Sequence, residues 1–151
     1  MRILVQRVSR ARVLVDGEVI GAIQHGLLLL VGVHADDDDD AVNFCAEKCA
    51  QLRIFADSEE RMNRSVLETG GDILAISQFT LYGDCRRGRR PSFSSAAGPE
   101  PAQLLYEAFI SRLESLGLEV ARGVFGAHME VEIVNDGPVT LLVESPAGAA
   151  S

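Results

Sequence analysis

Two short stretches of this sequence carry residue types that chemistry can use. Ser77-Gln78-Phe79-Thr80-Leu81 sets two hydroxyls and a carboxamide at the end of an apolar run. Asn135-Asp136-Gly137-Pro138-Val139-Thr140 joins turn-forming residues to a Gly-Pro pair. On an extended strand, Ser77, Phe79 and Leu81 face one way and Gln78 and Thr80 the other. Polar side chains at a strand end beside a long loop can line a pocket. Hydroxyls satisfied by neighbouring backbone are the plainer alternative. A rigid Gly-Pro tip can present carbonyls to a ligand, and about 5–6% of X-Pro bonds in folded proteins are cis. An ordinary hairpin turn fits the same residues.

Other chemistries find little support. Cys45 and Cys49 share a helical face, but no further Cys or His pair follows at zinc-site spacing. Packed thiols are therefore expected there, and no metal. His25, His34 and His128 form no H-x-x-x-H pair. Neither G-x-G-x-x-G nor G-x-x-x-x-G-K occurs, which argues against a nucleotide fold, and no cofactor is expected. The serine elbow G-x-S-x-G is also absent. A hydroxyl nucleophile needs a positioned base. Of the three histidines, only His128 falls in a strand near the Ser77 segment.

The elements that must position these residues follow from the apolar pattern. Residues 2–8 read as a strand. Arg12–Val15 and Glu18–Ile23 read as a hairpin about a tight Asp16-Gly17 turn. Gly26–Val33 is almost continuously apolar, as in a central strand buried on both faces. Asp36–Asp40 opens a helix with carboxylates suited to capping and to its dipole. Val42, Cys45, Cys49 and Leu52 form its stripe. Asp57–Thr69 reads as irregular, and Gly70-Gly71 as a turn. Ile73–Leu81 reads as a strand. Tyr82–Pro99 has no period, and loops of that length are usually functional or mobile. A second helix begins near Pro101, with Leu105, Ala108, Phe109, Arg112 or Leu113, and Leu116 on its inner face and Gly117 at its end. Glu119–Phe125, His128–Val134 and Val139–Glu144 read as strands, with a turn at Asn135–Pro138. Residues 145–151 read as a frayed tail.

These elements predict one compact α/β domain over residues 1–151. Its sheets are mixed and largely antiparallel, with two main helices. The chain has 151 residues and is 47% apolar, enough for a real core. Its net charge of −8 argues against a general nucleic-acid binder. One local exception is Arg86-Arg87-Gly88-Arg89-Arg90, with four of the 14 basic residues in five positions. It reads either as a solvated loop or as one positive patch. Three cysteines and an N-terminus unlike a secretory leader suit a reducing, cytoplasmic setting. No apolar run is long enough for a membrane helix.

Taken together, these strings resemble the D-aminoacyl-tRNA deacylase family of bacteria and eukaryotes, formerly called D-Tyr-tRNA(Tyr) deacylase. The resemblance runs from Val5-Gln6-Arg7-Val8 and Val15-Asp16-Gly17 through Ser77–Asp84 and Gly88–Phe93. It continues through Phe125-Gly126-Ala127-His128-Met129 to Asn135–Thr140. It implies a barrel-like core. It implies a homodimer that hydrolyses the ester between tRNA and a D-amino acid, or glycine, and rejects L-amino acids. It implies a catalytic pocket at Ser77, Gln78, Phe79 and Thr80. It implies a chirality filter at Gly137 and Pro138, reaching into the partner subunit's pocket through a cis bond. Arg86, Arg87, Arg89 and Arg90 are the tRNA-binding candidates, through phosphates rather than bases. No membrane or DNA partner is expected.

In that reading the Phe79 N–H stabilises the oxyanion and Gln78 positions the substrate. Ser77 orders the strand end. Thr80 organises the pocket, with the 2′-OH of the tRNA assisting the reaction. A nucleophilic Thr80 is the minority alternative. Rival readings are a covalent Thr or Ser esterase acting on another ester, a non-catalytic binder of charged tRNA, and a structural dimer without a substrate.

Overall fold

The computed structural model describes residues 1–146. Its organising element is β1 (Arg2–Val15), one unbroken strand where the sequence suggested two. Along one edge β1 pairs antiparallel with β8 (Glu130–Glu144). Two strands share its other edge. β3 (Gly26–Gly32) covers Arg2–Val8, and β2 (Glu18–Ile23) covers Ala11–Val15. The β1–β2 turn is as expected, with positive φ at both Asp16 (50°) and Gly17 (79°), the geometry that favours Asp-Gly.

The sheet continues in parallel from β3 to β6 (Asp72–Ser77) and from β6 to β7 (Val120–Arg122). Parallel neighbours need crossovers. Helix α1 (Asp39–Gln51) lies in the first and α3 (Pro99–Ser115) in the second. The sheet then curls until β2 meets β7. A Cβ at Gly21 would lie 2.7 Å from the Arg122 carbonyl oxygen, so closure depends on a residue without one. The result is a mixed, nearly closed barrel, in line with the expected fold class.

Side chains of the central strands alternate between two cores. Leu27, Leu29, Ile73 and Ala75 face α1 and α3, while Leu28, Leu74 and Ile76 fill the barrel with Val8 and Val13. That two-sided burial explains the unbroken apolar run of β3. Helix α1 starts as the carboxylates suggested, with Asp38 Oδ1 accepting the Ala41 N–H at 3.0 Å. Val42, Cys45 and Cys49 are buried on its inner face. Burial pushes the Cys45 thiol up to about 11 and the Cys49 thiol higher still, so both are packed, inert thiols.

Several boundaries differ from the sequence reading. The strand expected over Ile73–Leu81 ends at Ser77, and Phe79–Tyr82 is a 3₁₀ turn. The segment expected to be irregular holds β5 (Met62–Arg64), paired with β4 (Phe55–Ala56), and the short α2 (Val66–Thr69). Ser65 and Glu68 form a capping box on α2, an S-x-x-E signal visible in the sequence. Helix α3 begins at Pro99 rather than near Pro101, with proline in its first turn. The strand expected over Glu119–Phe125 is only Val120–Arg122, and the one expected from His128 starts at Glu130. Strand β8 runs through Asn135–Pro138 instead of turning there. Of the expected frayed tail, Ser145 is tied to Met1 by a backbone bond of 2.9 Å, and residues 147–151 lie outside the described residues.

Candidate active site

Strand β6 carries Ser77 to the rim of the sheet, opposite Val31 of β3. The next residue makes the last rung, with Gln78 N–H donating to the Val31 carbonyl at 2.8 Å. There the chain leaves the sheet. Leu81 N–H bonds back to the Gln78 carbonyl at 3.2 Å, and Gly83 N–H to that of Thr80 at 2.9 Å. The turn packs on the end of β3, where a Cβ at Gly32 would sit 3.0 Å from Leu81 Cβ. Arg2 anchors it by donating to the Leu81 carbonyl at 3.0 Å and by stacking 4.5 Å from the Tyr82 ring centre. The expected alternation of Ser77, Phe79 and Leu81 against Gln78 and Thr80 therefore fails, because the chain is extended only as far as Ser77.

Ser77, Gln78 and Phe79 line a cleft of about 550 Å³. Its walls are otherwise mainly apolar and include Val31, Ile76, Phe93, Phe125 and Met129. Phe79 and Phe93 stand edge to face at the mouth, 5.1 Å apart, and both are exposed. As the first residues of a helical turn, Phe79 and Thr80 carry N–H groups that the turn itself leaves unpaired. Thr80 does not line the cleft. Its hydroxyl accepts a hydrogen bond from the Gln78 carboxamide. His128 is the one ionisable side chain lining the cleft among the described residues. It makes no hydrogen bond to Ser77 or Thr80, so neither hydroxyl has a positioned base.

The Gly137-Pro138 segment lies elsewhere on the chain. Gln6 pairs with Thr140 and Val8 with Asn135, so Asp136–Val139 bulge out opposite the single residue Arg7. The Gly137-Pro138 bond is cis, and Gly137 has φ +130°, where a side chain would be strained. Side chains clasp the neck of the bulge. Asn135 Oδ1 accepts from Val139 N–H, and Asn135 Nδ2 donates to Thr140 Oγ1, both at 2.9 Å. Arg7 Nε donates to the Asp136 carbonyl at 3.0 Å, and its Nη1 to the Ile54 carbonyl at 2.6 Å. Gly137 and Pro138 are exposed and do not line the Ser77 cleft. A single chain therefore leaves the two segments apart.

The arginine segment is a loop tied at its base by paired backbone bonds between Asp84 and Ser92, of 2.7 and 2.9 Å. Its far end leads directly to Phe93 at the cleft mouth. Arg86 is committed to Asp84 through Nε–Oδ1 and Nη2–Oδ2 contacts of 2.9 and 2.7 Å, which hold the Asp84 carboxyl down at about 2. Arg87, Arg89 and Arg90 are exposed and make no ion pair among the described residues. Sequence reasoning assigned no role to Phe93 and Phe125. The signal was aromatic residues embedded in Gly- and Ser-rich loops. No group of three or more His, Cys, Asp or Glu suited to a metal occurs among the described residues.

A family model described as D-Tyr-tRNA(Tyr) deacylase matches residues 4–144. A D-aminoacyl-tRNA deacylase of Shouchella clausii is 62% identical over 96% of this chain and 99% of its own. Another, from Symbiobacterium thermophilum, is 59% identical over 96% of both chains. A solved structure, c-Myc DNA Unwinding Element Binding Protein, overlays with a TM-score of 0.92 at 39% identity. It covers 97% of this chain and all of that one.

Proposed function

Since this chain belongs to the D-Tyr-tRNA(Tyr) deacylase family, we propose that it hydrolyses the ester linking a D-amino acid, or glycine, to tRNA and spares L-aminoacyl-tRNA. Water adds to the ester carbonyl, the bond to the terminal ribose oxygen breaks, and the ribose hydroxyl recovers the proton. The observation that carries this reading is the apolar cleft with Ser77, Gln78 and Phe79 at its edge. The Phe79 N–H, opening the 3₁₀ turn, serves as the oxyanion donor. Gln78 orients the substrate, Ser77 orders the strand end, and Thr80 braces Gln78. With no base positioned for a hydroxyl, the 2′-OH of the terminal ribose assists the reaction, which weakens the covalent Thr or Ser reading.

Stereochemical selection is assigned to Gly137 and Pro138 of a second copy. Main-chain atoms can test the substrate's Cα without reading its side chain, and glycine passes because it has no Cβ. Two features support a homodimer. One chain leaves filter and pocket apart. Strand β8 also pairs only with β1 among the described strands, leaving a long edge that bears exposed Ile133, Val134, Leu141 and Leu142. The chain acts as one domain. Arg87, Arg89 and Arg90 meet tRNA phosphates beside the cleft mouth, with Arg86 already paired. The reading puts the enzyme with tRNA in the cytoplasm. No helix of the described residues is long and apolar enough to cross a membrane.

The deciding experiment is deacylation of D-Tyr-tRNA, L-Tyr-tRNA and Gly-tRNA by the same preparation. Hydrolysis of the first and third but not the second is expected. Equal hydrolysis of both tyrosyl esters overturns the filter, and binding without product release overturns the enzyme.

A further inference from the structure

Beside the Gly137-Pro138 bulge lies a second cleft, of about 500 Å³, that the proposed reaction does not use. Arg7, His25, Arg64 and Asp136 supply its charged and titratable side chains. Arg7 is engaged with the Asp136 and Ile54 carbonyls and is needed where it stands. Arg64 differs. Its Nη2 donates to the Glu68 carbonyl at 2.8 Å, while its Nε and Nη1 make no hydrogen bond among the described residues. The Glu68 carboxylate is bonded to Ser65 by the capping box, which together with the nearby Arg64 charge holds it below its ordinary range, and it forms no ion pair with Arg64 among the described residues. The His25 ring is held edge to face against Phe55, 5.0 Å between centres, with its outer side exposed. In a chain of net charge −8, two guanidinium groups and an imidazole thus surround one cavity; its single lining carboxylate, Asp136, pairs with Arg7 Nε at 3.5 Å, which leaves Arg64 as the guanidinium without an ion pair among the described residues.

The cleft is joined rigidly to the bulge, because Asp136 precedes Gly137 and Arg7 grips its carbonyl. Wherever the bulge goes, Arg64 and His25 go with it. We propose that Arg64 and His25 form a phosphate-binding cleft that works across the dimer, taking a backbone phosphate of the tRNA whose 3′ end lies in the partner's pocket. This rests on the deacylase reading above. A guanidinium with unused donors suits a phosphate oxygen, and imidazole adds a second donor. The subunit that supplies the filter would then also grip the strand being filtered. Its donors are separate from the Arg86–Arg90 loop, which belongs to the mouth of the same chain's own cleft.

The test compares D-Tyr-tRNA with D-tyrosyl-adenosine, an ester without any phosphate, using wild type, Arg64→Glu and His25→Gln dimers. For Arg64→Glu, KM for the tRNA is expected to rise about tenfold or more with kcat retained. The slope of log(kcat/KM) against log salt should become shallower by roughly 0.7, one single-strand phosphate contact. Hydrolysis of the adenosine ester should not change. His25→Gln should raise KM for the tRNA more weakly and leave the adenosine ester unchanged. Heterodimers read the crossing directly. Arg64→Glu should impair a dimer when it shares a subunit with a disabled Gln78, and spare it when it shares a subunit with the intact pocket. An active wild type whose Arg64→Glu form keeps its KM and salt slope overturns this proposal alone. So does an equal loss on both substrates. A wild type idle on both substrates overturns the deacylase reading and this one with it.

Discussion

Arg7→Met is the sharpest test of how the bulge is held. The substitution keeps an unbranched apolar stem and removes every donor. The bond to the Ile54 carbonyl is partly buried and comes from a charged donor, so its loss costs about 1.5–3 kcal/mol. The bond to the Asp136 carbonyl is exposed, and water replaces much of it, leaving about 0.5–1 kcal/mol. Together these give about 2–4 kcal/mol, or a fall in Tm of roughly 4–16 °C for a domain of this size. Only the Asp136 contact, this bond together with a 3.5 Å ion pair from Arg7 Nε to the exposed Asp136 carboxylate, reaches the bulge itself. Its loss should therefore shift bulge positioning by about two- to fivefold, read as the ratio of kcat/KM for D-Tyr-tRNA over L-Tyr-tRNA. Thermal denaturation and the two deacylation rates measure both effects on one preparation. A lowered Tm with an unchanged ratio would show that Arg7 braces the sheet without setting the filter. An unchanged Tm would refute the hydrogen-bond reasoning altogether.

Thr80→Ala should keep most of the deacylation rate, whereas a tRNA ending in 2′-deoxyadenosine should lose it; a folded but dead Thr80→Ala enzyme argues for the covalent route. Gly21→Ala should cost about 1–3 kcal/mol in denaturant unfolding, since its Cβ would meet the Arg122 carbonyl at 2.7 Å and open the barrel seam. Wild-type stability refutes that closure. Asp84 should titrate near 2 by NMR, because Arg86 holds it below its ordinary 3.8. A carboxyl depressed in the folded state contributes its full stability above the ordinary value and loses it as pH falls toward 2. Arg86→Gln should return the midpoint toward 3.8, and an unmoved midpoint would mean that the pair is not formed in solution.

Local signals in the sequence were reliable wherever a single element decides the outcome. Asp16-Gly17 forms its turn because Asp and Gly tolerate positive φ. Asp38 caps α1 because a carboxylate there meets a free N–H. Val42, Cys45 and Cys49 point inward because their spacing is helical. What could not be read was set by contacts between distant segments. Phe79-Thr80-Leu81-Tyr82 continues an apolar alternation, yet the end of β3 and Arg2 turn the chain out of the sheet. Asn135-Asp136-Gly137-Pro138 has the composition of a hairpin turn. Because β1 runs straight past it and pairs with both flanks, the surplus residues are expelled as a bulge. The Ser77 and Gly137 segments were both visible as candidates. Their separation on one chain was not, since it depends on strand pairing: Ser77 reaches β1 only through Val31 of β3, level with Ile3, whereas the bulge lies directly against Arg7 on the other edge.

The bulge also bears on solubility. Strand β8 is 15 residues long and offers its outer edge, with exposed aliphatic side chains, to any other extended chain. A regular edge of that kind is a template for open-ended strand addition and fibre growth. Here four residues stand opposite one, which breaks the spacing of the rungs, and Pro138 has no N–H to offer a newcomer. No incoming strand can run straight across it. The neighbouring flanks remain able to receive a surface shaped to fit them, which suits the closed pair proposed above. Deleting the bulge to leave a continuous β8 should therefore leave a chain prone to precipitate.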